Sequence, residues 1–87
     1  MFSNVHHVAI IGTDYQRTKE FYVDKLGFKV ISEHIRIEKN DIILNVQQGD
    51  LVLEIFIKVD APPRPKIPNP EHTGLRHLAF RVDNVEE

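Results

Sequence analysis

The sequence predicts an α+β fold, in which a β-α-β-β-β module is followed by the first strand of a second, truncated module. Three observations lead to this prediction. Runs of β-branched and apolar residues are separated by short turns, as in a small sheet. One amphipathic segment carries the signals of both helix ends. A short pattern that begins with histidine occurs near the start of the chain and again near its end.

The first strand is predicted at Val5–Ile11, which is β-branched and apolar and stops before Gly12. Side chains alternate between the two faces of a strand, so His7 shares a face with Val5, Ala9 and Ile11. His6 then points to the opposite face. A single site can therefore use only one of these two histidines.

A helix is predicted between Thr13–Asp14 and Gly27. Either Thr13 or Asp14 can act as the N-cap, and Gly27 stands just past the end. The residues that recur between them at helical spacing are Tyr15, Thr18, Phe21, Tyr22, Lys25 and Leu26. This pattern is typical of an amphipathic helix of about three turns that packs on a sheet.

Three further strands are predicted at Phe28–Ile37, Ile42–Gln47 and Leu51–Ile57, and the short turns between them favour an antiparallel meander. The last strand contains one carboxylate, Glu54, among six apolar residues. Burying an ionised carboxylate costs several kcal/mol unless a cation or strong donors replace its hydration. We therefore expect a partner opposite Glu54, either a metal ion or one of the arginines Arg36, Arg76 and Arg81.

The chain is predicted to divide into a first module at residues 1–60, a Pro-rich linker at 61–73 that contains all five prolines, and an incomplete second module at 74–87. The second module would begin with a strand at Leu75–Val82. Its His77-Leu78-Ala79-Phe80 repeats the pattern of His7-Val8-Ala9-Ile10. Because a lone strand exposes its edges, we expect a longer protein or an obligate oligomer.

Composition excludes several classes of function. The net charge of −2 and the pI near 6.2 give no general attraction to nucleic acid or to an anionic membrane. The absence of cysteine excludes disulfides, thiolate metal sites and a cysteine nucleophile. Without a leader peptide or a membrane-spanning apolar run, a cytoplasmic protein is the expectation.

His7, Glu54 and His77 form the candidate metal site. The repeat places the two histidines at equivalent positions of equivalent strands, each with a small alanine two residues further on. Two imidazoles and a carboxylate suit a divalent metal and leave coordination positions open for water or substrate. A single histidine in a strand is more often a hydrogen-bonded structural residue, so the hypothesis depends on all three together.

Through these residues and the motifs around them, the chain resembles a known superfamily of proteins. His7 within HVAI, Glu54 within VLEIF and His77 within GLRHLAFRVDN are similar to the motifs of the vicinal oxygen chelate superfamily, which includes glyoxalase I, bleomycin-resistance proteins and extradiol dioxygenases. The chain is also similar to small bacterial proteins of the lactoylglutathione lyase-like type. The resemblance implies paired βαβββ modules that enclose a divalent metal, often across a dimer.

Carried over by position, His7, Glu54 and His77 match three of the four ligands of the glyoxalase I pattern. The fourth, a glutamate tied to proton transfer, would lie beyond Glu87, so no catalytic residue is assigned within this chain. Glutathione-dependent members commonly have arginine four residues after the first ligand and asparagine four residues after the glutamate. The residues here are Ile11 and Lys58, so both usual contacts to glutathione are missing.

The resemblance implies a metal-dependent glyoxalase-like lyase or isomerase acting on an α-hydroxycarbonyl or hemithioacetal substrate through a metal-stabilised enediolate. If the missing half is supplied, it would be a lactoylglutathione lyase-like carbon–sulfur lyase, a homodimer with a small-molecule substrate, a divalent ion (Ni, Co, Zn, Mn or Fe) and no organic cofactor. An Fe(II) dioxygenase of the extradiol type and a ligand-sequestering protein of the bleomycin-resistance type are the alternatives.

Overall fold

A computed structural model describes residues 3–65, 71 and 73–81. Its strands are β1 (Val8–Gly12), β2 (Lys29–Arg36), β3 (Asp41–Gln48) and β4 (Leu51–Ile57). Between β1 and β2 lie the helix α1 (Tyr15–Lys19) and a π-helical turn (Glu20–Lys25), and a 3₁₀ turn (Ile37–Lys39) precedes β3. The α+β class and the β-α-β-β-β order predicted from the sequence are confirmed.

The four strands form one mixed sheet in the order β1-β4-β3-β2. β2, β3 and β4 are antiparallel neighbours, which confirms the predicted meander. β1 lies on the other side of β4 and pairs with it in parallel. The helical segment that follows β1 provides the crossover connection that parallel strands require. β4 is therefore an interior strand with hydrogen-bonded neighbours on both sides.

The two faces of the sheet differ. On the helix side, Leu53, Ile55 and Ile57 of β4 join a buried core, and the side chains of the helical segment that pack against it are Tyr15, Tyr22 and Val23. Alternation puts the intervening β4 residues on the opposite face. That face, which we term the open face, comprises Ala9, Ile11, Ile43, Asn45, Gln47, Val52, Glu54 and Phe56, and no helix of the described residues covers it.

The helix begins and ends near the predicted positions. The Asp14 carboxylate accepts a hydrogen bond from the Arg17 amide at 3.0 Å, so Asp14 rather than Thr13 is the N-cap. Gly27 follows the helical segment with a positive φ of 82°, a conformation that favours glycine. The second half is π-helical, with the Leu26 amide donating to the Phe21 carbonyl. The predicted helix is confirmed as an element between β1 and β2, and its second half is π-helical rather than α-helical.

The segment at residues 75–81 has no strand, in contrast to the predicted strand at Leu75–Val82, whose last residue lies outside the described residues. A strand needs a hydrogen-bonded partner, and neither edge of the sheet, β1 or β2, pairs with this segment. Part of the predicted linker, residues 66–70 and 72, also lies outside the described residues. The division at residues 60 and 73 stays a prediction.

Among the helices of the described residues, none has the length and apolar character that crossing a membrane requires.

We expect Ile55→Ala to lower the free energy of unfolding by about 2–5 kcal/mol, because Ile55 is fully buried and truncation leaves a cavity. The matched control is Ile37→Ala, since Ile37 is 87% exposed and should change stability by less than about 0.5 kcal/mol. Urea unfolding measures both values. Equal losses for the two variants would contradict the assignment of the core.

Candidate functional site

The sheet brings His7 and Glu54 together on the open face. Glu54 is the middle residue of β4 and lies opposite Ala9 of β1 in the parallel register. His7 directly precedes β1, and its Nε2 lies 3.6 Å from Glu54 Oε1. Their side chains are 43% and 31% exposed, respectively, so both remain accessible to a ligand from solvent. Two of the three predicted site residues are thus neighbours.

His6 contacts this pair, in contrast to the prediction that it points away from the site. Its Nδ1 lies 2.9 Å from the Nδ1 of His7, and the two rings meet edge to face. One ring nitrogen must donate and the other accept, so the contact orients the His7 ring with Nε2 toward Glu54. Strand alternation predicts that His6 points away from the site. Because β1 begins only at Val8, this alternation does not extend to His6.

His77 is not brought to His7 and Glu54 within this chain. It lies exposed in the segment that forms no strand. Among the described residues, no group of three or more histidine, aspartate or glutamate side chains is close enough to hold one metal ion. The assignment of His77 as a ligand therefore stays a prediction.

Two of the three arginines predicted as possible partners of Glu54, Arg36 and Arg76, have other contacts. Arg76 pairs with Glu71 at 2.9 Å, and Arg36 makes its hydrogen bonds to Asp41. The neighbour of Glu54 is instead His7, an imidazole nitrogen beside a carboxylate oxygen. These donor types suit Zn²⁺, Ni²⁺ and Fe²⁺, and a separation of 3.6 Å allows both to contact a single ion. The pair fits a divalent metal as a partial ligand set.

A second polar group occupies the end of the same sheet face. We term Arg36, Asp41 and Lys58 the Asp41 cluster. Asp41 is paired with Arg36 across β3 and β2, and its side chain is fully buried. Its Oδ1 accepts from Arg36 Nε at 2.8 Å, and its Oδ2 accepts from Arg36 Nη2 at 2.6 Å and from Lys58 Nζ at 2.7 Å.

Hydrogen bonds govern the ionisation of the Asp41 cluster. Those from Arg36 and then Lys58 hold the pKa of the Asp41 carboxyl well below its ordinary value, although burial opposes them. The hydrogen bond to Asp41 likewise raises the pKa of Arg36, and the charges of Glu38 and Glu54 add to this effect. Asp41 is thus a fixed anion that holds two cations in place.

Apolar side chains separate the two polar groups. Phe56 follows Glu54 by two residues on the same face, and it pairs with Ile11 on one side and Ile43 on the other. The Arg36 guanidinium lies over the Phe56 ring, 5.5 Å from the ring centre. Arg36 therefore reaches back from the Asp41 cluster toward Glu54.

Comparisons with known proteins agree with this fold. The family model of the Glyoxalase/Bleomycin resistance protein/Dioxygenase superfamily matches residues 4–87 of this chain. The chain is 43% identical to the protein YwkD of Bacillus subtilis (strain 168), over 100% of this chain and 67% of that protein. It is 48% identical to YaeR of Escherichia coli (strain K12), over 94% of this chain and 63% of that protein.

A solved structure is similar as well. The crystal structure of the glyoxalase family protein from Enterococcus faecalis superposes with a TM-score of 0.84 at 54% identity, over 95% of this chain and 64% of that chain. The chain thus spans about two thirds of the length of these relatives.

The Asp41 cluster should make the free energy of unfolding depend on pH in the acidic range. Because the folded-state pKa of Asp41 lies below its ordinary value of 3.8, the ionised carboxylate stabilises the fold above that value, and this contribution is lost as the pH falls. Between about pH 5 and about pH 2, Asp41→Asn should lose less stability than the unaltered protein, as measured by urea unfolding at each pH.

The comparison variant is Glu33→Gln. Tyr15 also lowers the pKa of Glu33, so a residual acid dependence should remain in Asp41→Asn and should shrink further in the double variant. An unchanged pH dependence in Asp41→Asn would contradict the role given to the cluster.

Proposed function

The chain belongs to the Glyoxalase/Bleomycin resistance protein/Dioxygenase superfamily, and we propose that it is part of a metal-dependent, glyoxalase-like lyase or isomerase. The substrate class we propose is an α-hydroxycarbonyl compound or a hemithioacetal. The observation that carries the proposal is the pair of His7 Nε2 and Glu54 Oε1, which lie 3.6 Å apart on the open face.

In this proposal, His7 and Glu54 hold a divalent ion, and His77 joins them from a second module, in a homodimer. A divalent ion bound there would polarise neighbouring oxygens of the substrate and make the adjacent C–H more acidic. The His6 contact would keep the His7 ring oriented for this role. No residue of this chain is assigned to the proton transfer.

The surroundings of the pair fit a small organic substrate. Ala9, opposite Glu54, leaves space beside the carboxylate because it carries only a methyl group. Ile11, Val52 and Phe56 supply an apolar floor around it. Such a surface offers apolar contacts to the carbon skeleton of a bound ligand.

A ligand-sequestering protein of the bleomycin-resistance type is the weaker alternative, because such proteins usually lack the metal ligands. An extradiol-type dioxygenase would use the same donors, with two histidines and one carboxylate around Fe(II). The two enzymes differ in their requirements. The isomerase should work without oxygen and with Ni(II), Co(II) or Zn(II), whereas the dioxygenase should need both iron and oxygen.

We expect Glu54→Ala to weaken the binding of Co(II) by at least about tenfold, since it removes one of the two ligands that the described residues bring together. Metal titration of the chelator-treated protein measures the affinity. The control is Glu20→Ala, which removes an exposed carboxylate from the helical segment and should leave metal binding unchanged.

The activity is tested with hemithioacetals of methylglyoxal formed from several thiols, in the presence of each divalent metal and without oxygen. Metal-dependent turnover that is lost in Glu54→Ala would support the isomerase. Turnover that persists in Glu54→Ala, or metal binding that this substitution does not change, would contradict the proposed function.

A further inference from the structure

We propose that the Asp41 cluster is an anion-recognition site, and that the substrate carries a phosphate or carboxylate group at the end remote from its reacting carbons. The substrate class proposed here presupposes the isomerase function proposed above. The two cations and one anion of the cluster sum to a net charge of +1, and the carboxylates Glu38 and Glu54 also act on Arg36. An anionic group would be attracted to that charge.

The chemistry of the cluster suits such a group. Asp41 is fully buried and binds both cations through its two oxygens, so it fixes their positions without being exposed to the ligand itself. The side chains of Arg36 and Lys58 remain 27% and 39% exposed. Each keeps N–H groups that its contacts with Asp41 do not use, and guanidinium and ammonium groups bind phosphate and carboxylate through such donors.

The distance to Glu54 limits the size of the substrate. Arg36 lies over Phe56, which is two residues from Glu54 along β4, or about 7 Å. A three-carbon hydroxycarbonyl compound with a terminal phosphate is of this length. The backbone of Lys58 lies four residues from Glu54, about 13 Å along the strand, but its Nζ contacts the same oxygen, Asp41 Oδ2, as Arg36 Nη2, so the two cationic groups are neighbours. Lys58 also lines a pocket of about 280 Å³ together with Lys39, Asn40 and the carboxylate-bearing Asp60.

Electrostatics distinguish this arrangement from a merely structural ion pair. One cation is enough to neutralise Asp41, yet two are placed on it, and one of them extends over an aromatic ring toward the Glu54 end. Arg36 therefore contributes positive charge on the side of Asp41 that faces Phe56 and Glu54.

The test compares two ligands that differ only in phosphate, dihydroxyacetone phosphate and dihydroxyacetone. Their binding to the Mn(II)-loaded, whole protein is measured by calorimetry. We expect the phosphate compound to bind at least about tenfold more tightly. Lys58→Met and Arg36→Met should reduce this ratio to within about threefold of unity, because each removes one of the two cations.

The matched control is Lys29→Met, which removes a lysine from the other end of β2 and should leave the ratio unchanged. Lys58→Met leaves Asp41 bound to Arg36 through two hydrogen bonds, so it tests the proposal even if Arg36→Met fails to fold. A ratio near unity in the unaltered protein, or one that Lys58→Met does not change, would overturn the proposal.

Failure of the proposed function gives a different result. Glu54→Gln should weaken the binding of both ligands to the Mn(II)-loaded protein and leave their ratio intact. If Glu54→Gln changes neither affinity while Lys58→Met still lowers the ratio, the anion site stands and the metal-dependent function does not. Inorganic phosphate binding to the chelator-treated protein, weakened by Lys58→Met and unchanged by Lys29→Met, gives further support to the anion site.

Discussion

The alternation of side chains along β4 is the constraint on which the rest of the structure depends. Leu53, Ile55 and Ile57 are buried on the helix side, so Glu54 and Phe56 must face the other way. A shift of one residue would put the carboxylate into the apolar core and expose the core residues. Pairing with β1 on one side and β3 on the other fixes this register. The position of the carboxylate thus follows from the burial of its neighbours.

The same registers arrange the open face in successive rows. The row of Glu54 holds the small Ala9 and the polar Asn45, and the next row holds Phe56 between Ile11 and Ile43. Beyond it lies the Asp41 cluster. The accessible Glu54 carboxylate and His7 imidazole lie at one place on this face, and the positively charged groups of the Asp41 cluster lie further along. Apolar side chains lie between them, so the two ends of the face differ in charge. A small ligand with one polar end and one anionic end would bind it in a single orientation.

Much of this fold could be predicted from sequence because its signals are local. The strand β4 has the predicted bounds, and the N-cap at Asp14 and the glycine at position 27 mark the helix ends. The π-helical turn was not predictable, since its hydrogen bonds change the backbone without changing which residues are apolar. The predicted strand at Leu75–Val82 has the right composition, but composition cannot supply a partner strand.

The candidate site was predictable to a similar extent. Glu54 was identifiable because a carboxylate in an apolar strand needs a partner, and the repeat selected His7. The structure brings these two together. The contacts of His6 and Asp41 were not predictable. That of His6 arises because β1 begins only at Val8, and those of Asp41 depend on pairing across the fold. Asp41 follows a turn in the sequence, and only the pairing of β2 with β3 and the end of β4 surrounds it with two cations.

The exposure of the His7–Glu54 pair bears on what completes the site. A divalent ion held by two side chains that are 43% and 31% exposed would exchange readily with water and bind weakly. Ile11 of the same face is 63% exposed, so this face has apolar surface that remains uncovered by the described residues. A second module that packs on the open face would bury that surface and could bring further ligands to the ion. Under the proposed function, metal affinity and the association of the two modules should therefore be thermodynamically linked, each strengthening the other.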